Sequence, residues 1–205
     1  MVNEFDEKAK DWDSDPNKIS RARTVAEAIR NRVTLGPHME ALEYGCGTGL
    51  LSFALQPYLG HITLADSSEG MLAALRGKIA SSGVGNMTPI KLDLSVDSMP
   101  GQGFDLIYTL MTLHHIPNTD GILREFHRLL RPGGHLCVAD LDTEDGSFHG
   151  AGFSGHRGFD RSDLGERARR AGLDEASFET AFRVAKEAGG SMRDYPVFLM
   201  VARKP

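Results

Sequence analysis

Cysteine is nearly absent: Cys46 and Cys137 are the only two in 205 residues. Both sit in apolar sequence, so the chain reads as one with free, buried thiols in a reducing compartment, not a disulfide framework. Long apolar runs are missing too. No stretch approaches the ~20 residues of a membrane-crossing helix. The polar, acidic start from Met1 to Asp15 lacks the basic and apolar regions of a secretory signal. A cytoplasmic location with no membrane partner is therefore expected. Positive charge is in short supply, with 23 Lys and Arg against 28 Asp and Glu and a net charge of −5. With no basic tract, nucleic acid is not an expected partner. No metal-ligating set is read from the spacing, so no metal is expected.

What is present is an ordinary globular composition, 40% hydrophobic and 25% charged. At this length it is enough for one domain with a sizeable core. Ile19, Ala22, Val25, Ala26, Ile29 and Val33 recur at helical spacing until Gly36-Pro37 stops them. Pro16 reads as the end of the charged leading segment. Apolar runs at 39–44, 61–65, 87–92, 104–110 and 135–140 read as strands. Helices over 50–59, 67–83 and 118–130 separate them, the second capped by Ser67 or Ser68. Ser162 is the expected cap of a later helix that ends at Ala171-Gly172. Two last strands, 176–184 and 195–203, join through Gly189-Gly190 without a crossover helix.

Alternating strands and helices make an α/β fold. The expected architecture is a Rossmann-like, seven-stranded, mostly parallel sheet with helices on both faces and the last strand antiparallel. Residues 1–205 form one domain: a helical lead-in or lid over 1–35, a core over 36–141, a glycine-rich mobile loop over 142–160, and a helix with the strand pair over 161–205.

The densest signal is Glu43-Tyr44-Gly45-Cys46-Gly47-Thr48-Gly49-Leu50, with three glycines at alternate positions between a strand and a helix. Such a turn lets a ligand approach the backbone. It lacks dinucleotide spacing: the third glycine comes one residue early and Leu50 stands where Gly or Ala belongs. No Gly-Lys-Ser/Thr follows, which excludes a P-loop. Glu43, just ahead of the glycines, favours a ligand with a cationic end. Ligands of open α/β sheets bind at the carboxyl ends of the strands. Asp66 ends the second strand, 17 residues after Gly49, and can accept from both hydroxyls of a ribose. Asp93 follows the third strand between two leucines and can accept from an exocyclic amine such as adenine N6.

Together with Phe104-Asp105, Leu113-His114-His115-Ile116 and Leu130-Arg131-Pro132-Gly133-Gly134, these residues resemble the class I S-adenosylmethionine-dependent methyltransferases, in their small-molecule branch. The resemblance covers about residues 40–140. It implies S-adenosyl-L-methionine as cofactor and S-adenosyl-L-homocysteine as product. It implies that Gly45, Cys46 and Gly47, in the turn closed by Gly49, pass along the methionine part. Glu43 would orient that turn or meet the ammonium through water. Asp66 would hold the ribose, Ser67 and Met71 would line the adenine, and Asp93 with the Leu94 backbone would meet its edge. Leu110 and Met111 would lie near the sulfonium. The Phe5 to Asp13 segment resembles a lead-in that folds over the cofactor in that branch, with Trp12 facing the sulfonium.

The implied function is methyl transfer to a small-molecule acceptor by in-line displacement, catalysed mainly by positioning. One alternative is a protein that binds the cofactor without turnover. Another, disfavoured by Leu50 and Glu43, is a nicotinamide-dependent oxidoreductase. No catalytic residue stands out; His115, His149 and His156 are the candidate bases. The apolar Leu110-Met111-Thr112 departs from the Asn-Pro-Pro-Tyr of methyltransferases directed at planar nitrogens. A small apolar or amphipathic acceptor fits better, covered by Phe148, Phe153 and Phe159 in the loop. The chain leaves little room for an inserted cap domain, so the pocket is expected to be open or completed by a second copy in a homodimer.

Overall fold

The computed structural model describes residues 4–99 and 103–205. Seven strands form one sheet: β1 (Glu40–Tyr44), β2 (His61–Asp66), β3 (Met87–Lys91), β4 (Phe104–Leu110), β5 (Leu130–Leu141), β6 (Asp174–Ala188) and β7 (Ser191–Arg203). Their order is β3-β2-β1-β4-β5-β7-β6. β3, β2, β1, β4 and β5 pair in parallel, and β7 runs antiparallel to both β5 and β6. This is the expected Rossmann-like arrangement. Six α-helices accompany it among the described residues: α1 (Glu4–Lys8), α2 (Pro16–Arg32), α3 (Leu50–Leu55), α4 (Glu69–Ser82), α5 (Thr119–Leu129) and α6 (Arg161–Arg170). None of them is long and apolar enough to cross a membrane.

Successive strand residues face opposite sides of the sheet, so each strand feeds two cores. On one side Ala41, Leu64, Leu106, Tyr108 and Cys137 pack against Val25 and Ile29 of α2, Leu51 and Leu55 of α3, and Leu72 and Leu75 of α4. On the other Leu42, Ala65, Ile107, Val138 and Phe198 pack against Leu123 and Phe126 of α5 and Leu164 of α6. The chain leaves β1 toward β2 on one side and returns to β4 on the other. That change of direction opens a crevice at the carboxyl ends of the strands.

Several boundaries differ from the sequence reading, each for a local reason. Pro16 starts α2 instead of closing the lead-in, because the first helical position needs no N–H. Asp15 caps that helix by accepting from the Asn17 N–H at 2.9 Å. Asp160, not Ser162, caps α6 by accepting from the Asp163 N–H at 2.9 Å. Ser68, not Ser67, caps α4 through the Met71 N–H at 3.1 Å. Pro57 ends α3 in a short 3-10 turn over Gln56–Tyr58. Arg131-Pro132-Gly133-Gly134 lies inside β5, as an irregularity between the Phe104–Leu130 and Leu106–His135 pairs.

The last two strands are much longer than expected. Gly189 and Gly190 both have positive φ, 61° and 79°, as a two-residue hairpin turn requires. β5 ends opposite Val197, but β6 and β7 pair onward to Ala188 and Ser191. The hairpin therefore projects past the carboxyl edge of the sheet, beside the crevice. Gly49, at the start of α3, has φ 79°, and a Cβ there would come within 2.7 Å of Leu75 Cδ1. Gly49→Ala should lower the unfolding free energy by about 1–3 kcal/mol. An unchanged urea midpoint would contradict the close approach of α3 and α4.

Candidate active site

The crevice holds a cleft of about 1170 Å³. Its floor is the glycine turn. Gly45 and Cys46 donate their N–H groups to Ala65 O at 2.8 and 3.0 Å. A Cβ on Gly45 would fall 2.2 Å from Thr112 Cγ2, so only glycine fits there. Gly47, at φ 52°, faces Trp12 Nε1 and Met71 Sδ, each 3.9 Å from where a Cβ would stand. Its N–H donates to Asp66 Oδ2 at 2.7 Å, and the Ser68 N–H donates to Asp66 Oδ1 at 2.8 Å. Burial raises the Asp66 carboxyl above its usual range, and these backbone donors oppose the rise. Ser67, Met71, Asp93, Leu110 and Met111 line the same cleft, as do Trp12, Glu43, Gly45, Cys46, Gly47 and Asp66. Met111 adopts φ 55°, unusual for a residue with a side chain. Its N–H donates to Ala139 O at 2.8 Å, which holds this bend at the end of β4.

Two expected contacts lie elsewhere. Gly49 does not line the cleft and serves helix packing instead. Leu94 is buried, and its N–H donates to Tyr44 Oη at 3.1 Å, so it is not open to an adenine. Tyr44 Oη in turn lies 3.4 Å from Asp93 Oδ1, which also accepts from Ser95 N–H and Oγ–H at 2.9 and 2.6 Å.

Glu43 is buried and accepts a short hydrogen bond from Ser52 Oγ. Ser52 Oγ also meets Tyr108 Oη at 2.6 Å. Burial is the main cause that pushes the Glu43 pKa up to about 8. At neutral pH Glu43 is therefore a largely protonated acid wired into α3 and β4. That geometry makes it a brace of the turn before it is a charge.

The N-terminal segment lies over this floor. Asp6 accepts from Ser68 Oγ at 2.6 Å and from the Gly70 N–H at 2.9 Å. Asp13 accepts from Thr48 Oγ1 at 2.5 Å and pairs with Lys78 at 2.6 Å. Trp12 is carried between these two anchors, with the Lys18 ammonium 3.7 Å from its ring centroid.

Two features of the cleft escaped the sequence reading. Arg21, from α2, lines the wall, and its Nε is buried without a hydrogen-bond partner among the described residues. Burial lowers its pKa, with Asp15 and Asp140 pulling the other way. The available signal was its place four residues before Val25 and eight before Ile29, on the buried stripe of that helix. The second is Asp140, a fully buried acid near the end of β5 that stands behind the cleft wall at His114. It lies 2.6 Å from His114 Nδ1 through its Oδ1. The signal was a lone acid within Cys137-Val138-Ala139-Asp140-Leu141.

The far wall is aromatic. His149 Nε2 lies 3.0 Å from His114 Nε2, and Phe153 stacks on His149 with centroids 3.9 Å apart. His115 meets Phe5 edge-on at 5.3 Å. Phe148 lines the wall, whereas Phe159 is buried in the core beneath α5 and α6 and covers nothing. His156 is also outside the cleft; its Nε2 lies 3.1 Å from Thr119 Oγ1 and 3.0 Å from Ile116 O. It ties the loop down. The 142–160 segment, expected to be mobile, is held further by Arg161 on Asp142 at 2.6 Å and by Ser147 Oγ on Tyr195 Oη at 2.6 Å.

Residues 41–134 match a family described as methyltransferase domain. Over 154 residues the chain is 30% identical to an uncharacterized methyltransferase of Schizosaccharomyces pombe, covering 67% of this chain and 54% of the relative. Over 150 residues it is 31% identical to the ubiquinone biosynthesis O-methyltransferase of Pseudomonas aeruginosa, covering 66% of this chain and 64% of the relative. The fold matches that of a SAM-dependent methyltransferase from Aquifex aeolicus with a TM-score of 0.72 at 19% identity, over 98% of each chain. The chain belongs to the class I S-adenosylmethionine-dependent methyltransferases. It spans roughly half to two thirds of the length of those two curated relatives. Its cofactor is S-adenosylmethionine. The methyltransferase cleft fits that molecule on a specific point: the Arg21 Nε, buried without a hydrogen-bond partner among the described residues, suits the cofactor's carboxylate.

Glu43 also gives this methyltransferase a pH signature. Below pH about 4.5 the acid is protonated in both folded and unfolded chains. Between there and about pH 8 the unfolded chain ionises while the folded one keeps its proton. Its contribution to stability is full at the acid end and falls by up to ~1.4 kcal/mol per pH unit across the window. Glu43→Gln should flatten that fall in denaturation curves taken at several pH values. A slope the same as that of the parent chain would contradict the buried, protonated acid.

Proposed function

We propose that the chain transfers a methyl group from S-adenosylmethionine to a small molecule held between the glycine turn and the histidine–phenylalanine wall. One observation carries the reading: a single cleft joins Arg21, whose Nε has no hydrogen-bond partner among the described residues, Asp66 beneath the glycine turn, and the aromatic wall across Met111. When bound, the cofactor supplies a methyl group already activated on a sulfonium. The work left to the chain is orientation, which can supply on the order of 10⁵-fold or more in effective molarity.

In this reading Arg21 holds the methionine carboxylate and the Gly45–Gly47 backbone passes beneath it. Asp66 keeps lone pairs for the ribose hydroxyls while gripping Gly47. Ser67, Met71 and Asp93 surround the adenine. Trp12 covers the cofactor, and Leu110 and Met111 set the transfer point. Phe148, Phe153 and Phe5 offer a flat, apolar bed for the acceptor. The O-methyltransferase relative supports a hydroxyl as the accepting group. The acceptor wall comes from this chain's own loop and hairpin, so the reading requires no second copy.

Arg21→Gln and Asp66→Ala should each weaken S-adenosylmethionine binding by about 1–3 kcal/mol in calorimetry. An unchanged dissociation constant in both would overturn the assignment of the cofactor half. Turnover is tested separately, by release of S-adenosylhomocysteine with a panel of hydroxylated aromatic acceptors. Tight cofactor binding with no release above background across the panel would favour a binding protein without transfer.

A further inference from the structure

The three imidazoles of the far wall form a set that orientation alone does not use. His114 and His115 come from the 3-10 turn Leu113–His115 that follows β4, and His149 from the 142–160 loop. One ring nitrogen of each lies within 4.8 Å of the other two. Their separation in sequence follows no ligand motif, which is why the spacing did not betray them.

His114 is the fixed member. It is buried, and its Nδ1 sits 2.6 Å from Asp140 Oδ1. Asp140 already accepts the Leu141 N–H at 2.7 Å and the His114 N–H at 3.2 Å, so it serves as the acceptor and Nδ1 as the donor. That tautomer leaves a lone pair on Nε2, aimed at His149 Nε2 3.0 Å away. A carboxylate that fixes one imidazole nitrogen so that the other can bind a cation recurs at histidine metal centres. Three histidines with one open position is the donor set of catalytic zinc. Imidazole nitrogen also selects zinc and its neighbours over magnesium and calcium, which take oxygen.

We propose that His114, His115 and His149 bind a divalent transition-metal ion, with zinc as its natural probe, and that the acceptor's hydroxyl or thiol occupies the open position. The metal site stands on the histidine geometry; only its link to the acceptor rests on the methyl-transfer reading. A tetrahedral zinc would want the three nitrogens about 3.3 Å apart. The His114–His149 pair is already that close, and the set closes if the His115 nitrogen, within 4.8 Å of both, moves inward. On coordination the acceptor's hydroxyl proton leaves to solvent, and the oxygen keeps the lone pair that becomes the nucleophile. Three neutral ligands leave the metal charge unbalanced, so an anionic oxygen or sulfur is preferred over an amine. Phe153, stacked on His149, and Phe5, edge-on to His115, limit the access of competing water.

The test uses the full chain, stripped with a chelator, dialysed and titrated calorimetrically with zinc chloride in the absence of cofactor. One equivalent should bind, and His149→Ala should weaken it at least about tenfold. His149 lies in a surface loop, so this variant should keep the parent's circular dichroism and melting temperature; His115→Ala provides a second arm. Cobalt(II) in place of zinc should show the intense visible absorption of a four-coordinate site. Absence of stoichiometric binding overturns the proposal. So does zinc binding that is unchanged in both variants, which would place the ion elsewhere. S-adenosylmethionine titrated into the same samples separates the two readings: a chain that binds cofactor but no zinc loses only the metal site.

Discussion

The backbone N–H of Gly47 points into the carboxylate of Asp66. That one bond joins the end of β1 to the end of β2 at the place where a ligand must lie. The turn cannot relax away from it, because Gly45 is closed in by Thr112 and Gly49 by Leu75. The left-handed glycines are held there by packing on every side, at a cost that the surrounding core supports. Asp66 is thus at once a strut of the turn and a half-buried edge of the cleft. Glu43 braces the same turn from beneath through Ser52 and Tyr108.

Charge is laid out around this floor in a definite order. Asp66 and Asp93 stand on the β2–β3 side, where a ribose and a base would lie. Arg21 stands on the opposite side, brought in by α2. Beyond it Asp140 faces inward and is engaged by His114. The N-terminal lead-in closes the top through Asp6 and Asp13, two half-buried acids that pin it to α4 and to Thr48. The hairpin of β6 and β7 continues past the sheet and brings Val184 and Lys186 to the cleft. The cleft is therefore walled by the lead-in, α2, the 142–160 loop and this hairpin above the sheet edge.

The fold and the floor of the cleft were legible in the sequence because they depend on local signals. Short apolar runs mark the strands, and the glycine turn, Asp66 and Asp93 each follow one directly. Boundaries failed where a residue type has two meanings. Pro16 can end a segment or begin a helix, and only the capping Asp15 decides. Leu94 and Gly49 were placed in the site by motif, but Tyr44 takes the Leu94 N–H and Leu75 takes the space above Gly49. The far wall of the cleft was hardest to read, because it is assembled from separate elements. Arg21, Asp140 and His149 lie far apart in the chain and meet only through the topology. His156 and Phe159 share the loop's composition but face away from the cleft, a distinction no spacing records.

A crystal structure of the chain with S-adenosylhomocysteine would show whether one cleft orients the cofactor against the histidine wall. The carboxylate should lie at Arg21 and the ribose at Asp66, with the sulfur directed past Met111 toward His114 and His149. A ligand bound with its ribose away from Asp66, or with its sulfur turned from the histidines, would contradict that placement.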